Sequence, residues 1–333
     1  MDKKVLLPRP ADLEALDRLR KWLPAKIIDC HFHCHGRYAQ PLFDPQATMP
    51  SETFNWFSWE LHQDILSQMG LWSAIYEVIA FGLPERTSEE ANLSYIRGLA
   101  DKDERFHGIA CLSRKECIEK FNNFLNQPPF ILKTKIRAEG RGQEIINHFP
   151  KELWEFWNAR QGFLLIHLPD NIFANADELV FLSRKYRNII FIIAHLGNAF
   201  IFQEAFSSAF KKVAVRPNIW LDVSMVTDVA SLNSAISILG CRRILFGSDA
   251  PFAYLHGKMV NYEGKAFFQS DSNWPWVKPA LSELSEKQAN SLKMVYIDNL
   301  YAIRQGLVDS GQDKAEKKEL IFYANSKNLL RGS

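Results

Sequence analysis

The sequence lacks the features that mark a disulfide-stapled or membrane-spanning protein. Its 333 residues include only five cysteines and no Cys-x-x-Cys pair, so we expect reduced thiols rather than a disulfide framework. No apolar run reaches the roughly 18 residues of a transmembrane helix. The opening Met-Asp-Lys-Lys leads into polar, charged sequence, and we expect no signal peptide. These absences predict a cytoplasmic protein without a membrane partner.

An excess of charge of one sign is also missing. The 40 basic and 38 acidic residues give a formal net charge of +2, which provides no electrostatic footprint for nucleic acid. No internal repeat and no Pro/Gly/Ser-rich linker divides the chain. The hydrophobic fraction of 47% and the charged fraction of 23% are those of an ordinary globular protein. We therefore expect a single domain over residues 1–333, with a core large enough for an α/β barrel.

What the chain does have is a regular alternation of two kinds of segment. Apolar runs typical of strands buried on both faces lie near residues 26–30, 73–80, 107–112, 130–137, 162–167, 188–194, 218–224 and 243–247. Segments of helical period lie between most of them, near 87–101, 114–125, 151–160, 174–186, 200–213 and 228–239. Eight strands alternating with helices predict an α/β fold with parallel pairing, a (β/α)8 TIM barrel.

Four segments depart from this repeat. Residues 1–25 are expected to form an N-terminal helical extension with a helix at 9–23, and 313–331 a closing helix. Residues 36–60 and 250–278 are too long for plain connections. Both follow the carboxyl end of a strand, where barrel enzymes build their active sites, and we expect them to be active-site loops.

Histidines and one aspartate end several of the predicted strands. His31 and His33 close the first run, and alternation along a strand places them on the same face. Three later runs end in His167, His195 and Asp249. In a barrel all five side chains would converge on one rim. A single histidine at a strand end is more often a structural residue, and that interpretation stays open for His167 or His195 alone, whereas the joint pattern favours a metal site.

Imidazole nitrogen and carboxylate oxygen are the ligands of zinc and similar divalent metals, and a catalytic site keeps one position open for water. His31, His33, His167 and Asp249 would provide such a site, with His195 as a further ligand or a catalytic group. The metal would lower the pKa of its water to about 7. Asp249 would accept the proton of that water, and His195 would hydrogen-bond the water or the developing oxyanion.

These residues resemble the amidohydrolase superfamily, and most closely its amidohydrolase 2 branch of metal-dependent hydrolases and decarboxylases. The matching segments lie in the family's order at residues 28–33, 104–108, 165–167, 193–197, 245–252 and 323–330. The resemblance implies that His31, His33, His167 and Asp249 are metal ligands. It also implies that His195 is a catalytic group or a ligand of a second metal.

Two positions bear on the details of this resemblance. Gly197-Asn198 stands where the branch usually has Gly-Gly, which affects the shape of the turn after His195. Lys135 fits the place of the family's fourth-strand lysine, which is carbamylated in binuclear relatives and free in mononuclear ones. One metal per chain is favoured, most simply zinc, with manganese as the alternative. A free Lys135, or Arg137 beside it, would then hold a substrate carboxylate.

Aromatic residues cluster in the first long loop, where Phe54, Trp56, Phe57 and Trp59 lie close together. At helical spacing such a cluster is more often part of the core. Because it follows the first metal-binding strand, Trp56 and Trp59 are alternatively the lid over an aromatic or apolar substrate. Trp274 and Trp276, in the loop after the eighth strand, would form the opposing wall.

Three functions remain open at this point. The first is hydrolysis of an amide, lactone or ester of a small carboxylate-bearing or aromatic substrate. The second is non-oxidative decarboxylation of an aromatic or unsaturated acid, which uses the same ligands. The third is a non-catalytic metal-binding barrel, against which the full ligand set argues. We favour hydrolysis of a small molecule, with neither nucleic acid nor a membrane as partner and with pairing into a homo-oligomer left open.

Overall fold

A computed structural model describes residues 6–36, 57–72, 76–82, 89–112, 132–135, 144–263, 265–272 and 277–331. Its centre is a barrel of short parallel strands. The strands in chain order are β1 Ile27–His33, β2 Tyr76–Phe81, β3 Phe106–Gly108, β4 Ala110–Leu112, β5 Leu132–Lys135, β6 Phe163–His167, β7 Ile190–Ile193, β8 Ile219–Asp222 and β9 Ile244–Leu245. The predicted strand runs therefore form strands at every one of the eight places.

The strands pair in sequence order, and the sheet closes on itself. One sheet contains β1, β2 and β3, and another runs from β4 to β9, with every pairing parallel. Only Ile109 separates β3 from β4, and its N–H donates to Ala80 O of β2 at 2.8 Å, so the two act as one interrupted strand. A parallel bridge between Phe32 and Ala250 joins the first strand to the segment after the last. The prediction of a (β/α)8 barrel is confirmed.

Helices pack around the outside of the barrel and cover its ends. They are α1 Pro10–Arg20, α2 Trp59–Gln68, α3 Glu89–Ala100, α4 Lys151–Ala159, α5 Ile172–Lys185, α6 Glu204–Ala214, α7 Val229–Leu239, α8 Pro279–Ser282, α9 Glu286–Ser291, α10 Val295–Asp309, α11 Ala315–Glu319 and α12 Asn325–Arg331. Short 3-10 turns occupy Ile145–His148, Cys241–Arg243 and Phe252–Tyr254, and a π-helical turn occupies Leu320–Ala324. The helix expected at 114–125 lies outside the described residues.

The inside of the barrel is a separate apolar layer. Its members come from alternate positions of six strands and from the closing helix: Ile28, Cys30, Ile79, Phe81, Ile109, Phe163, Leu165, Ile192, Ala194, Leu245 and Leu329. At the amino end of β2 and β3, Glu77 accepts from Lys327 of α12 at 2.9 Å and contacts His107 Nε2 at 2.7 Å. The closing helix therefore plugs the end of the barrel opposite to the strand carboxyl ends.

The segment expected to be a long active-site loop at 250–278 has more order than predicted. It contains an antiparallel hairpin of β10 Gly257–Tyr262 and β11 Lys265–Ser270. Lys278 lies over the rings of Tyr262 and Phe267, at 4.7 and 4.1 Å from their centroids. The two strands pair in an antiparallel register from Gly257 opposite Ser270 to Tyr262 opposite Lys265, although two-residue alternation in this segment is weak. The other loop, 36–60, is described only at its ends, and its last residues start α2 at Trp59.

Candidate metal centre

Five side chains meet at the carboxyl end of the barrel, each placed by the end of a strand. His31 and His33 come from β1, His167 is the last residue of β6, and His195 and Asp249 follow β7 and β9. Main-chain hydrogen bonds fix the last of these against the first strand, since Asp249 N–H donates to His31 O at 2.7 Å. His33 N–H in turn donates to Ala250 O at 2.9 Å. Closure of the barrel therefore brings the first and last predicted ligands together.

The Asp249 carboxylate lies at the middle of this group. His31 Nε2 and His33 Nε2 each lie 3.0 Å from its Oδ1, and His195 Nε2 lies 3.9 Å from its Oδ2. Within the described residues, the ligand atoms of His31, His195 and Asp249 all lie within 4.8 Å of one another. His167 is half-buried at the edge, with its ring centroid 4.9 Å from that of His195. The five predicted residues are thus brought together, with His195 nearer the centre than His167.

The other nitrogen of three imidazoles faces a hydrogen-bond acceptor. His31 Nδ1 lies 2.9 Å from Asp222 Oδ2, His33 Nδ1 lies 3.0 Å from Gly82 O, and His195 Nδ1 lies 2.9 Å from Ser224 O. Carboxylate and carbonyl oxygens only accept, so each Nδ1 carries the proton. A neutral ring then has its lone pair on Nε2, directed at Asp249 as a metal ligand requires. In a protonated ring of His31 or His33 the same atom carries a second N–H, which donates to the Asp249 carboxylate.

Asp222 is not among the residues predicted from the sequence, although it ends a strand as the predicted ligands do. Its Oδ2 holds the His31 ring, and its Oδ1 accepts from His195 N–H at 3.1 Å and Ser224 N–H at 2.9 Å. The residue is completely buried. The signal available in the sequence was Leu221-Asp222-Val223-Ser224 at the end of an apolar run. This signal is weak because the sequence does not distinguish an aspartate that orients histidines from one that only ends a strand.

The electrostatics keep both buried carboxylates ionised. Burial alone would raise the pKa of Asp249, but the charge and hydrogen bond of His31 and the hydrogen bond of His33 hold it well below its usual value. Burial likewise opposes ionisation of Asp222, and His31 outweighs it, so the pKa of Asp222 is also lowered. Burial lowers the pKa of His195, which favours the neutral, metal-binding imidazole.

A divalent cation fits this donor set. Lone pairs from neutral His31 and His33 approach the same carboxylate oxygen at hydrogen-bond distance, and without a positive charge between them that contact is repulsive. Either a proton or a metal ion supplies the charge. Imidazole nitrogen and carboxylate oxygen, with the second imidazole nitrogen already hydrogen-bonded, are the usual surroundings of zinc in proteins.

Asp29, next to the two β1 histidines, serves the backbone of the centre. The register of β1 against β2 shifts between Asp29 and Phe32. The Asp29 carboxylate accepts from His31 N–H at 3.1 Å and Ser248 N–H at 2.8 Å. Burial raises its pKa to about 6, against the hydrogen bonds from Ser248. It therefore fastens the strand of His31 to the segment that precedes Asp249.

The remaining predicted site residues divide into two groups. The main chain of Lys135 pairs in register with His167, which places it beside the site, but its side chain, like Trp56, Arg137, Trp274 and Trp276, lies outside the described residues. Trp59 is only 3% exposed, stacks on His62 and donates to Asp103. The substrate-wall interpretation of Trp59 is therefore wrong: it begins α2 and packs in the core.

Two phenylalanines that were not predicted as wall residues lie beside the centre. Phe252 contacts the His33 ring at a centroid distance of 5.8 Å, and Phe200 contacts the His195 ring at 5.5 Å. Both rings are half-buried. The rim of the centre is therefore apolar beside His33 and beside His195.

Comparison with protein families finds a match to the family model described as "Amidohydrolase" over residues 163–331. A comparison with curated proteins finds no match.

Solved structures with similar folds include an amidohydrolase from Burkholderia multivorans with bound zinc (TM-score 0.58, 10% identity, covering 92% of this chain and 99% of that one). Another is a Pseudomonas putida protein whose assignment as a 2-pyrone-4,6-dicarboxylic acid hydrolase is provisional (0.55, 13%, 93% and 99%). A third is 5-carboxyvanillate decarboxylase from Sphingomonas paucimobilis (0.50, 11%, 92% and 99%). At these identities the likeness concerns the fold.

Proposed function

The chain belongs to the amidohydrolase family, and from that premise we propose that it is a metal-dependent hydrolase of a small carboxylate-bearing or aromatic amide, lactone or ester. The metal, zinc in this proposal and one per chain, would be held by His31, His33, His167 and Asp249. His195 would act beside it as a catalytic group. The fold neighbours include a decarboxylase and a protein provisionally assigned as a hydrolase, so the family alone does not choose the reaction.

One observation carries the proposal. The Nε2 atoms of His31 and His33 both lie 3.0 Å from one oxygen of Asp249, while each Nδ1 is engaged by an acceptor. In a purely structural cluster of neutral histidines, each ring N–H would face an acceptor and each ring lone pair would face a donor. Here two imidazole nitrogens face one carboxylate oxygen, so the contact needs a positive charge, and a divalent cation supplies it with the ligand types that zinc prefers.

The chemistry divides between the ion and the protein. When bound, a divalent cation would polarise a substrate carbonyl and favour ionisation of a water. Asp249, kept ionised by its surroundings, would take up the proton of the attacking water and pass it to the leaving group. His195 donates Nδ1–H to Ser224 O, so its neutral Nε2 accepts a hydrogen bond and would orient the water rather than the developing oxyanion. Phe200 and Phe252 would exclude bulk water from the apolar body of the substrate.

The first test is metal content. Mass spectrometry of the purified protein should find about one zinc per chain, and His31→Ala/His33→Ala should lose it. His107→Ala is the control, because His107 pairs with Glu77 at the opposite end of the barrel. Two metals per chain would move Lys135 into the ligand set. No metal under zinc-replete conditions would contradict the proposal.

The second test separates the reactions. A panel of small lactones, amides, esters and aromatic acids is incubated with the zinc-loaded protein in ¹⁸O-labelled water. Hydrolysis incorporates the label into a product, as the proposal expects. Release of carbon dioxide without incorporation of the label into the organic product would identify a decarboxylase. That result would overturn the hydrolase assignment but not the proposed metal centre.

A further inference from the structure

The segment that carries His195 is a turn of left-handed backbone. His195, Leu196, Gly197 and Asn198 have φ values of 55°, 51°, 68° and 62°. Hydrogen bonds close the turn from Gly197 N–H to Ala194 O and from Ala199 N–H to His195 O. Side-chain-bearing residues adopt this conformation at a cost, and Asn tolerates it better than most. Such a turn needs support from its surroundings.

Asn198 connects this turn to the neighbouring loop. Its Nδ2 donates to Leu168 O and to Asp170 O, both at 3.1 Å. These carbonyls lie one and three residues after His167, on the loop that follows β6. The orientation of the amide is settled by its partners, because both are acceptors and only the NH2 group can face them.

We propose that Asn198 is a positioning residue, which sets the spacing between the imidazoles of His167 and His195 by clamping the loop after β6 to the left-handed turn after β7. The two rings meet edge to face, with centroids 4.9 Å apart and planes inclined at 74°. A glycine at position 198 would allow the turn but would leave the two loops unlinked. The proposal rests on the proposed metal centre and adds to it a residue that touches neither metal nor substrate.

A second asparagine provides a matched control. Asn218 Nδ2 also donates to main-chain carbonyls, of Ser183 at 3.2 Å and Ile189 at 3.0 Å, and it too is half-buried. It precedes β8, at the opposite end of the barrel from the centre. Loss of its amide would remove a comparable clamp without touching a loop that carries a predicted ligand.

The test compares Asn198→Gly with Asn218→Ala in the full chain. Glycine is used at 198 because φ is positive there, and alanine suffices at 218. Zinc dissociation constants are measured by competition with a chelator, and the visible absorption spectrum of the cobalt-substituted protein reports the coordination geometry. We expect Asn198→Gly to weaken zinc binding tenfold or more and to alter the cobalt spectrum. Asn218→Ala should have a zinc dissociation constant within twofold of wild type and an unchanged cobalt spectrum, even if its melting temperature falls.

Each other outcome counts against the proposal. It is overturned if the zinc dissociation constant of Asn198→Gly rises less than tenfold above that of wild type, or if the cobalt spectrum of this variant is unchanged. It is also overturned if Asn218→Ala loses as much zinc affinity as Asn198→Gly. If Asn198→Gly fails to fold, Asn198→Asp, which keeps the shape and removes the donor, is measured against the same thresholds. Wild-type protein that binds neither zinc nor cobalt would refute the proposed function itself, and this inference with it.

Discussion

At the scale of single residues, the geometry of the candidate centre depends on an aspartate that is not itself one of the predicted ligands. Asp222 fixes the ring of His31 and the main chain of His195 at once. Asp12 is buried as well, but its carboxylate lies 2.7 Å from Nε2 of His256, which is not among the candidate ligands. Asp222 therefore orients candidate metal ligands, whereas Asp12 contacts none of them.

We expect Asp222→Asn to weaken zinc binding by about 10- to 100-fold, because the amide no longer favours the Nδ1–H tautomer of His31 as a carboxylate does. Chelator competition measures this change. Asp12→Asn is the control and should leave zinc affinity unchanged. Equal affinity in Asp222→Asn and wild type would mean that the His31 ring is oriented without Asp222.

The candidate site residues were predictable where chemistry coincides with a strand end. His31, His33, His167, His195 and Asp249 each close an apolar run, and the structure brings them together. Trp59 was ambiguous, since an aromatic cluster at helical spacing serves a core and a lid equally well. Asp222 and Asn198 were not predicted, because their contacts depend on which loops the barrel makes neighbours.

At the scale of elements, the turn after β7 leaves no room for a side chain at Gly197. Its φ is +68°, and a Cβ there would lie 2.4 Å from Ile172 Cβ, at the start of α5. We expect Gly197→Ala to cost about 3 kcal/mol in free energy of unfolding, from strain and overlap together. Gly311→Ala, with the same φ and open space around it, should cost only about 1 kcal/mol. Urea denaturation compares them, and equal losses would show that the overlap relaxes freely.

The helix before the barrel is attached through a buried carboxylate. Asp12 accepts from Met294 N–H and from Arg9 N–H, and it faces His256. Burial alone would raise its pKa, but the His256 hydrogen bond and the two N–H groups lower it below the usual 3.8. A carboxylate with a lowered pKa stabilises the fold above its unfolded-state value and loses that contribution as pH falls through the folded-state value.

Asp12→Asn should therefore cost about 2 kcal/mol in free energy of unfolding at pH 7. The difference between wild type and variant should shrink as the pH falls below 3.8, where wild-type Asp12 is itself protonated in the unfolded and then the folded state. Urea titrations across this range measure it. A difference that stays constant down to low pH would assign the effect to packing instead.

Element types followed from periodicity, whereas their details did not. Strands buried on both faces are continuous apolar runs, so all eight places could be predicted. Their ends were less certain: β9 has only two residues, although the apolar run continues, because Phe246 donates its N–H to Ile321 of the closing segment. The hairpin β10–β11 was predicted as part of a loop, since apolar and polar residues alternate only weakly along its two strands.

At the scale of the whole molecule, the candidate ligands come from strands all around a closed barrel. Within the described residues no helix is both long and apolar enough to cross a membrane. An ion bound at the carboxyl end would link β1, β6 and the segments after β7 and β9, and unfolding would have to release it.

Zinc at 100 times its dissociation constant should stabilise the protein by about 2.7 kcal/mol, and removal with a chelator should lower the melting temperature accordingly. Calorimetry with and without zinc measures this shift. His31→Ala/His33→Ala should show no dependence on zinc. A zinc effect of the same size in that variant would place the ion elsewhere.

The joint between β1 and the segment after β9 also determines when the centre can exist during synthesis. His31 leaves the ribosome before Asp249, whose carboxylate lies at the middle of the group and which follows the last strand of the barrel. A nascent chain that stops before that segment has the histidines but not the carboxylate between them, and it lacks the contact that closes the barrel. An ion that needs all of these ligands would therefore be bound only after the barrel has closed.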